Sequence, residues 1–266
     1  MWRAELATQF RRRRTIALLF VLAAVPALLA VAVYLSGGPN PGNGPTFLDQ
    51  VTRNGVFASL AGLTVTIPFF LPLTVAVVAG DTIAGEASLG TLRYLLVRPA
   101  GRTRLLLVKA GMVAVYCVIA ALTVAVGGLV AGVILFPIGR VTTLSGTTVS
   151  LAEGMLRTFA AALVVGVSLF GLAAVGVFIS TLTDVPVGAM AATVGFAIFS
   201  AVLDSVPELR AFHPWLFTDH WLAFGDLLRS PVTWHEIIKD LSLQLGYVAV
   251  FGAAAWARFS TKDVLA

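Results

Sequence analysis

The 266 residues are 58% hydrophobic and only 12% charged, against about 45–50% and roughly 25% in a soluble globular domain. Too little polar surface is left to cover a water-soluble core. The formal charge of +5 sits in short segments between apolar runs, a distribution set by bilayer topology rather than by a nucleic-acid surface. The lone Cys117 excludes an intrachain disulfide and a cysteine-based metal site, and reads as a small core residue.

In chain order, residues 1–14 come first. Trp2, Leu6 and Phe10 form an apolar stripe, with Arg3 and Arg11–Arg14 beside it. This predicts an interfacial helix lying against lipid phosphates; the plainer alternative is a basic topology signal. A spanning helix needs about 20 mainly apolar residues, and 15–35 is the first candidate. Its basic start and Ala30-Val31-Ala32 imitate a secretory leader, but the apolar run exceeds the roughly 7–15 residues of a leader core. It is read as a retained span.

The second span is 56–79, with Pro68 and Pro72 one turn apart, which predicts a kink. Further spans follow at 105–136, 155–182, 185–203 and 241–257. The last is the weakest, carrying Ser242 and Gln244. Gly128-x-x-x-Gly132 and the pair Gly171 and Gly176 allow close helix approach, within one bundle or at a dimer interface. The expected fold is an all-α integral membrane protein, a single transmembrane domain of six helices over 1–266.

Lys and Arg placement orients it. The side holding both termini and the 80–104 loop has Arg3, Arg11–Arg14, Arg93, Arg98, Arg102, Arg104, Lys109, Arg258 and Lys262, twelve in all. The other has Arg53, Arg140, Arg157, Arg210, Arg229 and Lys239, six. Both termini are therefore expected in the cytoplasm, and 80–104 is a cytoplasmic loop. The Ala, Val, Gly and Arg bias suits a bacterial inner membrane.

That loop opens with Gly80-Asp81 and Gly85-Glu86, which predicts a breakable end to the second span. Leu89, Leu92, Leu95 and Leu96 then share a helical face, Arg93 and Arg98 fall toward the other, and Pro99-Ala100-Gly101 stops the run. Such a helix either lies on anionic lipid or docks a cytoplasmic partner. Glu86 favours docking, because an acid gains nothing from anionic lipid and pairs better with a protein cation.

The pattern Glu86-x-x-x-Gly90-Thr91-Leu92-x-x-Leu95-Leu96-x-x-Pro99-x-x-Arg102, with Lys109 beyond, resembles the cytoplasmic loop of ABC-2 type transporter permeases. The layout is similar along the whole chain; the Ala87-Ser88 pair, where charged residues often stand, departs from the pattern. The resemblance implies the membrane-spanning subunit of an ABC exporter working by alternating access. Its partners would be two cytoplasmic ATPase subunits, which bind ATP and Mg, and a second permease chain, identical or homologous. Glu86, Gly90, Thr91, Leu92, Leu95, Leu96, Pro99 and Arg102 would couple the permease to the ATPase. Gly90 would allow close backbone approach.

No P-loop occurs, since Lys109, Lys239 and Lys262 are followed by Ala or Asp. ATP hydrolysis is thus expected in a partner, and the chain itself is expected to be no enzyme and to hold no cofactor. Residues 204–240 carry three of the five tryptophans and all three histidines. Trp221, Phe224, Leu227 and Leu228 suit an amphipathic helix between Pro214 and Pro231, in a helical hairpin at the outer interface. By the resemblance this segment closes the outer end of the pathway, with Trp215, Trp221 and Phe224 as the gate.

His213, Asp219, His220 and His235 offer metal ligands, but His235-Glu236-Ile237-Ile238-Lys239 fails the His-Glu-x-x-His pattern and no Gly-x-Ser-x-Gly elbow occurs. The histidines are read as interfacial without a ligand role. A membrane enzyme built on them is the alternative, as is a non-transporting anchor for a cytoplasmic complex. Ionisable residues are nearly absent from the predicted spans, which argues against ion coupling. Thr64, Thr66, Thr74 and Thr123 leave an apolar or hydroxyl-lined path, suited to a drug, a lipid or a lipid-linked molecule.

Overall fold

The structure, a computed structural model, describes residues 2–37, 47–90 and 101–261. Helix α1 (Trp2–Arg11) meets α2 (Arg13–Leu35) across Arg12; α3 (Leu48–Val51), α4 (Phe57–Thr66) and α5 (Phe70–Ser88) follow. Next come α6 (Arg102–Leu135), a two-stranded antiparallel hairpin of β1 (Val141–Thr142) and β2 (Thr148–Val149), then α7 (Leu151–Ser168) and α8 (Phe170–Leu182). The last helices are α9 (Pro186–Asp204) and α10 (His235–Thr261). Among the described residues, six helical stretches are long and apolar enough to cross a membrane, with α7 and α8 together making one of them.

The second span is broken rather than kinked. Ile67–Phe69 leave the helix between α4 and α5, because Pro68 has no N–H to give the carbonyl of Thr64 and its ring clashes there. Pro72 instead stands in the first turn of α5, where a missing N–H costs nothing. The two halves go different ways. The first half, α4, packs on α2 and α6, whereas the second half, α5, packs on α8 and α9.

Helix α5 does not end near Ala79. Gly80, Asp81, Gly85 and Glu86 are all helical, and the helix stops at Ser88. Gly80 is tolerated because it is needed: a Cβ there would lie 2.7 Å from the backbone nitrogen of Met190 on α9. The stop comes from Gly90, whose φ of +66° is the left-handed conformation that closes many helices. The last span likewise begins earlier than its apolar run, at His235, so Asp240 lies inside a helix.

Small residues set the helix spacing. Gly132 on α6 meets Gly55 just before α4 backbone to backbone, a Cβ on either falling within 2.2 Å of the other's carbonyl oxygen. Gly128 faces the backbone of Ala58 and Ser59, and the Ser59 hydroxyl donates to the carbonyl of Ala125 at 2.8 Å. Gly171 meets Gln244 and Gly176 meets Ala79 and Thr193. All four predicted glycines are therefore used in packing within the chain.

The outer segment is no helical hairpin. It folds into three 3-10 turns, Pro207–Leu209, His213–Trp215 and Ala223–Leu228. The apolar positions Trp221, Phe224 and Leu227 recur every three residues, the repeat of a 3-10 rather than an α-helix. Trp221, Phe224, Leu227 and Leu228 are buried as the amphipathic pattern requires. Arg157 on α7 ties the end of this segment down, donating to the carbonyls of Leu227 (3.1 Å) and Arg229 (3.0 Å).

Candidate functional site

Two constellations stand at opposite ends of the bundle. At the end holding α1 and the C-terminus of α5, Lys109 enters the membrane one turn after Leu105 and is only 3% exposed. Its ammonium pairs with Glu5 of α1 at 3.1 Å and with Glu86 of α5 in a closer contact. A buried ammonium between two carboxylates satisfies the rule that buried charges are paired. Beside it, Asp81 takes Arg12 at 3.0 Å and Arg14 at 3.8 Å, and Arg14 donates to the carbonyl of Val77 at 2.8 Å. Helices α1, α2, α5 and α6 are thus cross-linked by charge.

Helix α5 is fastened to α8 just before this clamp. The Ser180 hydroxyl of α8 donates to the carbonyl of Gly80 at 2.7 Å and accepts from the amides of Ile83 (3.0 Å) and Ala84 (2.9 Å). One side chain thus engages three backbone groups of the neighbouring helix. The site lies two turns before the loop.

The predicted coupling residues divide. Glu86 pairs with a cation of its own chain, Lys109, instead of waiting for a partner's. Gly90 ends α5, and among the described residues none lies within 4 Å of where its Cβ would stand. Arg102 opens α6 and donates to the carbonyls of Phe259 (3.4 Å) and Ser260 (3.0 Å) on α10. Thr91, Leu92, Leu95, Leu96 and Pro99 lie outside the described residues.

At the other end a cleft of about 1020 Å³ opens between α9, the outer segment and α10. Phe196, Trp215, Tyr247, Val250 and Phe251 give it apolar walls, with Asp219, His220 and Lys239 among its polar groups. Of the three predicted gate residues only Trp215 lines it; it is 72% exposed, whereas Trp221 and Phe224 are core. Tyr247 donates its hydroxyl to the carbonyl of Trp215 at 2.8 Å, holding that turn on α10.

Behind the cleft lies a polar cluster the sequence reading passed over. The break at Leu169 between α7 and α8 frees the carbonyl of Ser168 and the amide of Gly171. The Trp221 indole donates to the first at 3.1 Å, and Gln244 accepts from the second at 3.2 Å. Gln244 donates to the carbonyl of Phe217 (3.0 Å) and to Asp240 (2.9 Å), and Asp240 also accepts from the Ser168 hydroxyl. Asp240 is fully buried. Of the two residues that made the sixth span look weak, Gln244 helps to repair a helix break, whereas Ser242 donates to the carbonyl of Lys239 in its own helix.

The missed residues left traces. Lys109 is a lone cation inside an apolar run, Asp240 and Gln244 stand four apart on one helical face, and both anticipate buried partners. Ser180 left none, because a serine in an apolar helix more often bonds its own preceding turn.

Comparison with known proteins agrees with this architecture. A family model described as ABC-2 family transporter protein matches residues 2–207. Over 107 residues the chain is 37% identical to the probable ABC transporter permease protein NosY of Pseudomonas aeruginosa, a match covering 40% of this chain and 35% of that protein. With six helical stretches among the described residues long and apolar enough to cross a membrane and the family match over most of its length, the chain belongs to the ABC-2 family of transporter proteins, as a multi-pass membrane protein.

Proposed function

We propose that the chain is the permease subunit of an ATP-driven exporter, moving a hydrophobic or amphipathic substrate out of the cytoplasm. Two soluble ATPase subunits would bind ATP and Mg and dock on the 80–104 loop, with a second permease chain completing the assembly. Both termini would face the cytoplasm of a bacterial inner membrane. The observation that carries this reading is the Lys109 clamp. It binds α1, α5 and α6 together at the base of that loop, so a push on the loop is delivered to three helices at once. The outer cleft supports the substrate class, since apolar walls beside charged groups match an amphipathic molecule.

In this reading Glu86 acts as a positioning residue, fixing the helix that carries the loop, while Leu92, Leu95 and Leu96 make the contact. The test is to tag the chain, extract it gently from its native membrane and identify what co-purifies. A near-stoichiometric ATPase with a P-loop, lost on Leu92→Asp with Leu96→Asp while the chain still inserts, is the expected result. Absence of any ATPase under conditions that keep membrane complexes intact would sink the proposal. An ATPase that binds yet never moves an amphipathic compound across reconstituted vesicles would make the chain an anchor instead.

A further inference from the structure

The outer segment folds back over the end of α9 and brings Asp204, His213 and Asp219 together. One ligand-type atom from each lies within 4.8 Å of the other two. All three groups are partly buried, and the cluster adjoins the cleft through Asp219.

The imidazole decides what this cluster is for. His213 Nε2 lies 3.1 Å from the backbone carbonyl of Val206. A carbonyl only accepts, so Nε2 carries the proton, and in the neutral ring Nδ1 is a bare lone pair. The Oδ1 of Asp204 lies 3.9 Å from Nδ1. The distance is too long for a hydrogen bond. Two acceptors that face each other with a gap between them, and a second carboxylate alongside, form the arrangement a cation bridges. Ligating histidines usually donate their other N–H to a carbonyl or carboxylate, as His213 does. Asp219 has a similar support: His220 stands between it and Glu236, with nitrogens 3.3 Å and 3.4 Å from the two carboxylates.

We propose that Asp204, His213 and Asp219 form a divalent transition-metal site, with zinc as its fitting probe, that pins the outer segment to the end of α9. One nitrogen and two carboxylates make a zinc-type donor set with a position left open for water; the imidazole disfavours magnesium and calcium, which take oxygen ligands. Bonds of about 2.0–2.2 Å put tetrahedral ligands roughly 3.3–3.5 Å apart. The three groups therefore need to draw in by about 1 Å.

The test uses the full chain in detergent or nanodiscs, stripped with a chelator and titrated with Zn²⁺, and separately with Co²⁺ read by its visible absorption. The expected result is one tight equivalent per chain, a rise in Tm on Zn²⁺ addition that the chelator reverses, and cobalt bands of low-symmetry nitrogen–oxygen coordination. At least a tenfold loss of affinity should follow from His213→Ala and from Asp219→Asn. His235→Ala should bind as the parent does, because His235 is 78% exposed and apart from the cluster. Should His213→Ala fail to fold, His213→Gln, read by cobalt absorption on material of parental helicity, replaces it. Failure to bind one equivalent, or equal binding by the parent and the cluster variants, overturns the site.

Discussion

Lys109 is the residue on which the inner end depends. Removing one partner of a buried ion pair strands the others, and costs roughly 3–5 kcal/mol in measured cases. Lys109→Ala leaves the carboxylates of Glu5 and Glu86 facing each other with little water, and should lower the unfolding midpoint in detergent sharply. Glu5→Gln should cost clearly less, because Lys109 keeps Glu86. Equal losses from the two substitutions, measured by thermal unfolding followed by circular dichroism, would mean that the ammonium is not shared. The sequence marked Glu86 as needing a cation, and that much was sound chemistry. What it hid was where the cation sits: Lys109 is 23 positions away, across a loop, and only the antiparallel return of α6 brings it back.

Among the elements, α5 has the most to lose from a single hydroxyl. Ser180→Ala removes a donor from the carbonyl of Gly80 and an acceptor from two amides, and buried groups left unsatisfied cost about 1–3 kcal/mol each way. The expected signature is local: faster hydrogen exchange at Ile83 and Ala84, with protection in α6 unchanged. Unchanged exchange at those amides would show that α5 holds its own ladder. Glycines give a second comparison. Gly132→Ala should destabilise by about 1–3 kcal/mol, since the obstacle is the backbone of Gly55. Gly195→Ala and Gly252→Ala meet nothing within 4 Å and should be neutral, or stabilising by about 0.4–1 kcal/mol. Parallel unfolding curves of the three would settle it. Hydropathy made the six apolar segments legible, because bilayer thickness imposes their length. It could not show the ends of α5 and α10, which run on through Glu86 and back to His235. There the helix continues because tertiary partners satisfy polar side chains, and no local periodicity records them.

At the level of the whole molecule, the two ends differ in kind. The end holding α1 and the C-terminus of α5 is cross-linked by charge; the opposite end holds the apolar cleft. Gly246 on α10 lines that cleft and has open space where a side chain would project. Gly246→Phe should therefore fill it without disturbing the fold. In the reconstituted complex, the expected outcome is loss of substrate-stimulated ATP hydrolysis with parental Tm. Undiminished stimulation by an amphipathic substrate would place the transported molecule elsewhere. The meeting of Gly55 and Gly132 has a mechanical consequence. Sliding α6 past α4 by one residue in either direction would drive a side chain into main chain, and tilting them about Gly55 and Gly132 would press Gly128 into the backbone of Ala58 and Ser59. With the Ser59 hydroxyl holding the carbonyl of Ala125 next to those contacts, the two helices are locked along their length as a single strut, and any motion of this part of the bundle carries α4 and α6 as a unit.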